Sequence, residues 1–176
     1  MPHTMKSAGK SKGKSTRALT VAAILAFALT GCDRGSHPEQ LGKPAPTFSV
    51  SDGQNTVDLA ALRGKVVVLN FWASWCAPCL EELPTLNTMQ EQLPQVRVVG
   101  VSIDEDSNAY ALFLKRHPMD FVTVQDAAQR SNSLYGTFRP PETYVIDKTG
   151  TIRRKFIGPQ DWTSPEIVNF LKKLAS

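Results

Sequence analysis

The apolar residues of this chain fall into runs whose spacing predicts most of its elements. Val66-Val67-Val68-Leu69-Asn70-Phe71-Trp72 is a nearly unbroken β-branched and aromatic run. It predicts a strand covered on both faces, as in the parallel part of a sheet. Leu80, Leu83, Leu86 and Met89, with Leu93 a turn further on, lie at helical spacing and predict a helix over residues 78–93. Pro84 should kink it, because proline removes one backbone donor and crowds the preceding turn. Val96 to Ile103 reads as the next strand, completing a βαβ unit whose crossover should be right-handed.

On either side of this unit the patterns are shorter. A Ser51-Asp52-Gly53-Gln54 turn joins two brief strands, at 47–50 and 56–58. Asn108 to His117 reads as a helix closed by Pro118, and Phe121 to Gln125 as a short strand. Glu142 to Asp147 and Thr151 to Ile157 flank Lys148-Thr149-Gly150, a hairpin connection. Thr163-Ser164-Pro165-Glu166 opens the last helix with capping-box chemistry, and Ile167, Phe170, Leu171 and Leu174 form its apolar stripe. The order βαβ, then α, then ββα describes an α/β fold. Its mixed central sheet has helices on both faces and is preceded by an N-terminal β-hairpin.

Composition changes the picture mainly at the N-terminus. The formal charge of +4 on 176 residues arises from the first 31, which hold Lys6, Lys10, Lys12, Lys14 and Arg17 and no acid. The remainder carries fifteen basic and sixteen acidic side chains, a net of −1. Nucleic-acid binding needs the basic excess on the folded domain, so it is not expected here. The cationic start, the thirteen-residue, mostly apolar run Ala18–Thr30 and the small residues after it have the layout of an export signal over residues 1–31. The run is shorter than the about 20 residues that span a bilayer. Leu29-Thr30-Gly31-Cys32 resembles a bacterial lipobox, which implies cleavage before Cys32 and its diacylation. Residues 32–46, with Gly35, Pro38, Gly42, Pro44 and Pro46, then read as a lipid-anchored tether, and 47–176 as one domain. Asp33 follows the lipidated position, a placement that in enteric-type lipoproteins goes with the inner membrane.

With Cys32 assigned to lipid, two cysteines remain, in Cys76-Ala77-Pro78-Cys79. Three residues apart at the start of a helix, they lie about 5 to 6 Å apart and can bridge without large movement. A helix N-terminus offers unpaired N–H groups and partial positive charge, which favour the Cys76 thiolate and lower its pKa below the free value of about 8.5. Cys76 is thereby suited to attack a disulfide, and Cys79, one turn into the helix and better shielded, to resolve the mixed disulfide. Pro78 fits an N1 or N2 position, where its missing N–H costs nothing. A purely structural bridge closing four residues would contribute only about 2 kcal/mol. Zinc would need four ligands, and in the chain after the leader only His37 and His117 could join the pair, neither at a ligand-like spacing.

The run from Val67 through Cys79, with its Phe71-Trp72-Ala73-Ser74-Trp75-Cys76-Ala77-Pro78-Cys79 core, closely resembles the active-site strand and helix of the TlpA-like branch of thioredoxin-like proteins. That branch includes ResA-type and CcmG/DsbE-type extracytoplasmic thiol-disulfide oxidoreductases, and the resemblance extends from about residue 41 to 175. It implies a thioredoxin-like fold, Pro84 as the family's helix-kinking proline and Pro141 as a cis-proline opposite the cysteines that holds the client backbone and keeps metals out. Glu82 matches a glutamate that ResA-like proteins place near the active site, where a buried carboxylate would exchange protons with Cys79; an exposed first-turn acid is the alternative. Asn70 stands where cytoplasmic thioredoxins keep a buried aspartate. Glu142 resembles the Pro-Glu-Thr of CcmG-like members, whereas Arg139-Pro140 departs from the usual pattern.

The resemblance further implies a monomer without cofactor or metal, facing the periplasm or cell exterior. Its clients would be disulfide-bearing proteins, apocytochrome c among them, and its electrons would come from a DsbD- or CcdA-like membrane reductase. Trp75 is expected at the surface as client contact and Trp72 in the core. Asp104-Glu105-Asp106 is expected to be a solvated loop and helix cap. Arg153-Arg154-Lys155 is expected to be edge charge. Two other functions compete. A peroxiredoxin-like peroxidase would need Pro-x-x-x-Thr-x-x-Cys, but Leu69 occupies the proline position and Trp72 to Cys76 contains no threonine. A client-holding or copper-carrying module would keep its function in Cys76→Ser or would carry stoichiometric copper.

Overall fold

The computed structural model describes residues 40–176. Expectations for the leader at 1–31, for Cys32 and for the first part of the tether lie outside the described residues. Strands β1 (Ser49–Ser51) and β2 (Thr56–Asp58) form an antiparallel hairpin. Next come a 3₁₀ turn at Ala60–Leu62, β3 (Val66–Trp72), α1 (Ala77–Gln92), β4 (Val96–Ser102), α2 (Ser107–Arg116) and β5 (Val122–Gln125). The chain ends with α3 (Arg130–Tyr135), β6 (Glu142–Ile146), β7 (Ile152–Ile157) and α4 (Pro165–Ala175). The five-stranded sheet has the order β5-β4-β3-β6-β7, with β3 parallel to β4 and β4 to β5, and with β6 antiparallel to both β3 and β7.

β3 is central and wholly buried, and its apolar side chains from Val66 to Phe71 divide by the two-residue period of a strand, while Trp72 joins the core of Val67, Leu69 and Phe71. Val67, Leu69 and Phe71 join one core with Tyr110, Phe113 and Tyr135. Val66 and Val68 join the other with Leu86, Met89, Trp162, Ile167 and Leu171. Helix α1 serves both, since Cys79 and Leu83 belong to the first core and Leu86 and Met89 to the second. Pro84 lies inside the helix at this changeover.

Element boundaries follow the sequence pattern within a residue or two, with three differences. The six-residue α3 has no counterpart among the expected elements, because Arg-Ser-Asn-Ser-Leu-Tyr carries no apolar period; it is closed by Gly136 at φ +64°. Ser164 precedes α4 without a side-chain cap, and Asp161 instead receives the Thr163 N–H and hydroxyl, so the capping box is not formed. The final residues of the expected tether are pinned to the domain: Gly42 N–H donates to Ile152 O at 2.8 Å and Ala45 N–H to Gly150 O at 2.9 Å.

Gly100 in β4 lets two side chains meet. It lies between Asn70 of β3 and Thr123 of β5 in register, and the Trp72 indole N–H donates to Thr123 Oγ1 at 3.0 Å. A Cβ at Gly100 would stand 2.7 Å from that oxygen and 3.1 Å from the indole nitrogen. Gly100→Ala is expected to lower the unfolding free energy by about 1–3 kcal/mol through overpacking, measured by urea denaturation; an unchanged midpoint would show that the site has slack.

Candidate active site

The chain leaves β3 at Trp72 and turns through Ala73-Ser74-Trp75 into α1, with Cys76 N–H donating to Ala73 O at 3.1 Å. Cys76 is the N-cap of α1, with extended backbone (φ −92°, ψ 97°), and its Sγ accepts the Cys79 N–H at 3.2 Å. A sulfur therefore fills the place that a serine or aspartate oxygen takes at most helix starts. Cys76 and Cys79 form a disulfide with Cα atoms 5.3 Å apart, and Pro78 occupies the first turn. Both cysteines are 5% exposed, so shielding does not distinguish them in the disulfide form. Position does: the helix-end donor points at Cys76.

The turn into Cys76 is clamped by a carboxylate. Asp104, 2% exposed, accepts Ser74 N–H at 2.9 Å, Ser74 hydroxyl at 2.6 Å and Ser102 hydroxyl at 2.6 Å. This corrects the expectation of a solvated Asp104-Glu105-Asp106 loop, although Asp106 does cap α2 by receiving the Asn108 and Ala109 N–H groups. Sequence offers no sign of the burial, since three acids in a row read as a wet loop.

Glu82 lies three residues beyond Cys79 on α1, hence on the adjoining face. It is 2% exposed. Oε1 accepts from Asn70 Nδ2 at 2.7 Å, while Oε2 accepts from Trp162 Nε1 at 3.1 Å and Gln160 N–H at 3.2 Å. Burial raises its pKa above the ordinary carboxylate value, and the three hydrogen bonds, from Trp162, Gln160 and Asn70, offset only part of that. The exposed-acid alternative is thereby removed. Trp162 and Gln160 had no signal in the sequence, because they reach Glu82 from a loop some eighty residues away.

β6 supplies the opposite wall. Its register sets Phe71 against Glu142, so residues 138–141, entering β6, emerge at the sheet end where residues 73–76 leave β3. The Pro140–Pro141 peptide is cis, as the resemblance implied. Glu142 is buried and pairs with Lys155 Nζ at 2.9 Å, with side chains 9% and 5% exposed, and also accepts the Thr137 and Tyr144 hydroxyls. Lys155 is thus not edge charge. β7 does lie at the sheet edge, but Arg153 pairs with Asp147 and Arg154 with Glu166. Trp75 is 65% exposed and Trp72 2%.

The AhpC/TSA family model matches residues 41–155. Thiol-disulfide oxidoreductase ResA of Bacillus thuringiensis (strain Al Hakam) is 33% identical over 138 residues, 77% of this chain and 79% of that protein. The chain belongs to the AhpC/TSA family. The DsbE thiol:disulfide interchange protein of Pseudomonas aeruginosa is 34% identical over 146 residues, 80% of each chain. A solved DsbE-type thiol:disulfide interchange protein from Chlorobium tepidum superposes with a TM-score of 0.67 at 30% identity, over 76% of this chain and 94% of that one. The fold is thioredoxin-like, and the protein is a thiol-disulfide oxidoreductase of the ResA and DsbE kind.

For this oxidoreductase the raised Glu82 pKa has a definite sign. Stability contributed by a group whose folded pKa lies above its unfolded one is complete below the unfolded value and is lost as pH rises through the folded value. In the disulfide form, where neither cysteine titrates, wild type should therefore lose stability relative to Glu82→Gln as pH rises from the ordinary carboxylate range towards neutrality. Urea unfolding at a series of pH values measures the difference; a constant difference would show that Glu82 is not desolvated.

Proposed function

We propose that this protein reduces disulfides of client proteins outside the bacterial cytoplasm, with Cys76 as nucleophile and Cys79 as resolving thiol. One observation carries the assignment of roles: Cys76 Sγ is the cap of α1 and accepts the Cys79 N–H at 3.2 Å. In the reduced pair that N–H and the helix end stabilise a thiolate on Cys76.

Each step balances. The Cys76 thiolate attacks one sulfur of the client disulfide, the client S–S bond breaks, and the departing client thiolate takes a proton from water. A mixed disulfide joins Cys76 to the client. Cys79 passes its proton to the Glu82 carboxylate, directly or through water, and its thiolate attacks Cys76 Sγ. The mixed disulfide breaks, the second client thiolate leaves and is protonated, and Cys76–Cys79 becomes a disulfide. Two electrons have moved from the pair to the client.

Glu82 suits the proton step because burial brings its pKa nearer that of a thiol. Asn70, which bonds both Glu82 and Thr143 Oγ1 at 2.8 Å, orients the carboxylate rather than taking the proton. Trp75 and the 138–141 loop, with Pro141, would hold the client backbone beside Cys76. A DsbD- or CcdA-like membrane reductase would return the electrons, and apocytochrome c with an oxidised cysteine pair is a client the ResA and DsbE relatives suggest. The lipobox-like Leu29-Thr30-Gly31-Cys32 would keep the protein on the membrane, the inner one by Asp33, with the domain facing the periplasm or cell exterior.

The Cys79→Ser variant tests the assignment. Without its resolving thiol, Cys76 should stay covalently bound to clients in cells, as adducts that dithiothreitol releases and mass spectrometry identifies at Cys76. Adducts mapping to Cys79 in a Cys76→Ser variant but absent from Cys79→Ser would reverse the roles.

A further inference from the structure

The two most exposed large apolar side chains among the described residues are both aromatic, Phe138 at 69% and Trp75 at 65%. Both lie at the sheet end that holds Cys76. Trp75 precedes Cys76 directly, and Phe138 stands in the segment entering β6, whose first residue Glu142 is in register with Phe71 of β3. Two more exposed apolar residues share this end. Ile157, 45% exposed, pairs with Glu142 across β7, and Leu80, 39% exposed, is four residues on from Cys76 and so on its side of α1. Half of the eight exposed large apolar side chains among the described residues thus lie at the sheet end that holds the disulfide. Scattered apolar residues on a surface need no explanation; a cluster around a reactive centre marks a contact surface.

The charge next to Phe138 is positive. Arg139 is exposed beside Phe138. Glu142 is neutralised by Lys155, Glu82 and Asp104 are each 2% exposed, and the exposed Glu105, Asp106 and Asp161 lie on other segments, where they accept from Gln129 Nε2, from the Asn108 and Ala109 N–H groups and from Thr163. Glu81 is exposed, but five residues on from Cys76 it stands about 140° round the helix from it. Cys76 itself is 5% exposed, so a client sulfur must come down between Trp75 and the 138–141 loop. A disulfide set rigidly in a folded surface cannot do this, whereas a cysteine in an extended segment can. Pro140 and Pro141 present no N–H to that segment, so their C=O groups alone can pair with its backbone and side chains carry more of the selection.

We infer that the preferred client, on the disulfide-reductase reading above, is an unfolded polypeptide whose cysteine is flanked by aromatic or branched aliphatic residues, with an acidic residue placed to meet Arg139. The test uses the reduced full chain and three peptides, each with one cysteine disulfide-bonded to thionitrobenzoate: one with apolar flanks and an aspartate, one with lysine in place of that aspartate, and one with serines in place of the apolar flanks. Second-order rate constants are read as ratios to that for bis(2-hydroxyethyl) disulfide. The aspartate peptide should react about tenfold faster than the lysine peptide, and Arg139→Glu should invert that order. Phe138→Ser should cut the advantage of apolar over serine flanks by about fivefold. Equal ratios for the three peptides, or a preference unmoved by Arg139→Glu, would overturn the client assignment while the disulfide-reductase reading stands. Failure to consume even bis(2-hydroxyethyl) disulfide, with both thiols shown to be free, would overturn both.

Discussion

The N–H of Cys79 pointing at Cys76 Sγ is the contact on which the chemistry of this molecule turns. It exists because α1 begins at residue 77 and not a turn earlier or later, which places Cys76 at the one position where a side chain caps the helix. That start is set from both sides. β3 delivers the chain to the sheet end through seven consecutive buried residues, and Asp104, itself held by the Ser102 hydroxyl, fixes the intervening turn by two hydrogen bonds from Ser74 of 2.9 and 2.6 Å. A helix end is a weak electrostatic device in water and a stronger one when partly buried. With Cys76 5% exposed, the present one belongs to the second class.

Two buried glutamates flank this centre and are treated in opposite ways. Glu142 has a cation, Lys155, and two hydroxyl donors, so its charge is matched and it anchors the start of β6 beneath the client loop. Glu82 has three N–H donors and, among the described residues, no cation within ion-pair distance. Burial then dominates and its proton is held more tightly than usual. An ion pair fixed at Glu82 would have made it a strut; left with dipoles alone, it is able to gain and lose a proton as the thiols do. Asn70, at the position where an aspartate would put a second acid beside it, bonds Glu82 and Thr143 and adds no charge.

Much of this was legible in the residues. The apolar run 66–72 and the leucine spacing after Cys79 located β3 and α1, and the two-cysteine motif located the centre, because each depends on a local period or a local spacing. What stayed hidden depends on contacts between distant segments. Asp104 lies in an acidic triplet that looks solvated, and only the β3–β4 pairing brings it against Ser74. Lys155 belongs to a run of three cations on an edge strand, yet alternation turns it towards Glu142 across the β6–β7 pairing. Trp162 reaches Glu82 from the loop before α4, a packing of non-neighbours that no period encodes. α3 escaped because six polar-rich residues between two loops have neither length nor stripe.

The most direct measurement is the rate of Cys76 alkylation by iodoacetamide against pH in the fully reduced protein, with modified Cys76 and Cys79 peptides quantified separately. A Cys76 midpoint clearly below the free-thiol value of about 8.5, with Cys79 titrating above Cys76, is the expected result. A Cys76 midpoint at or above that of an unfolded cysteine peptide would contradict the claim that the start of α1 activates this sulfur.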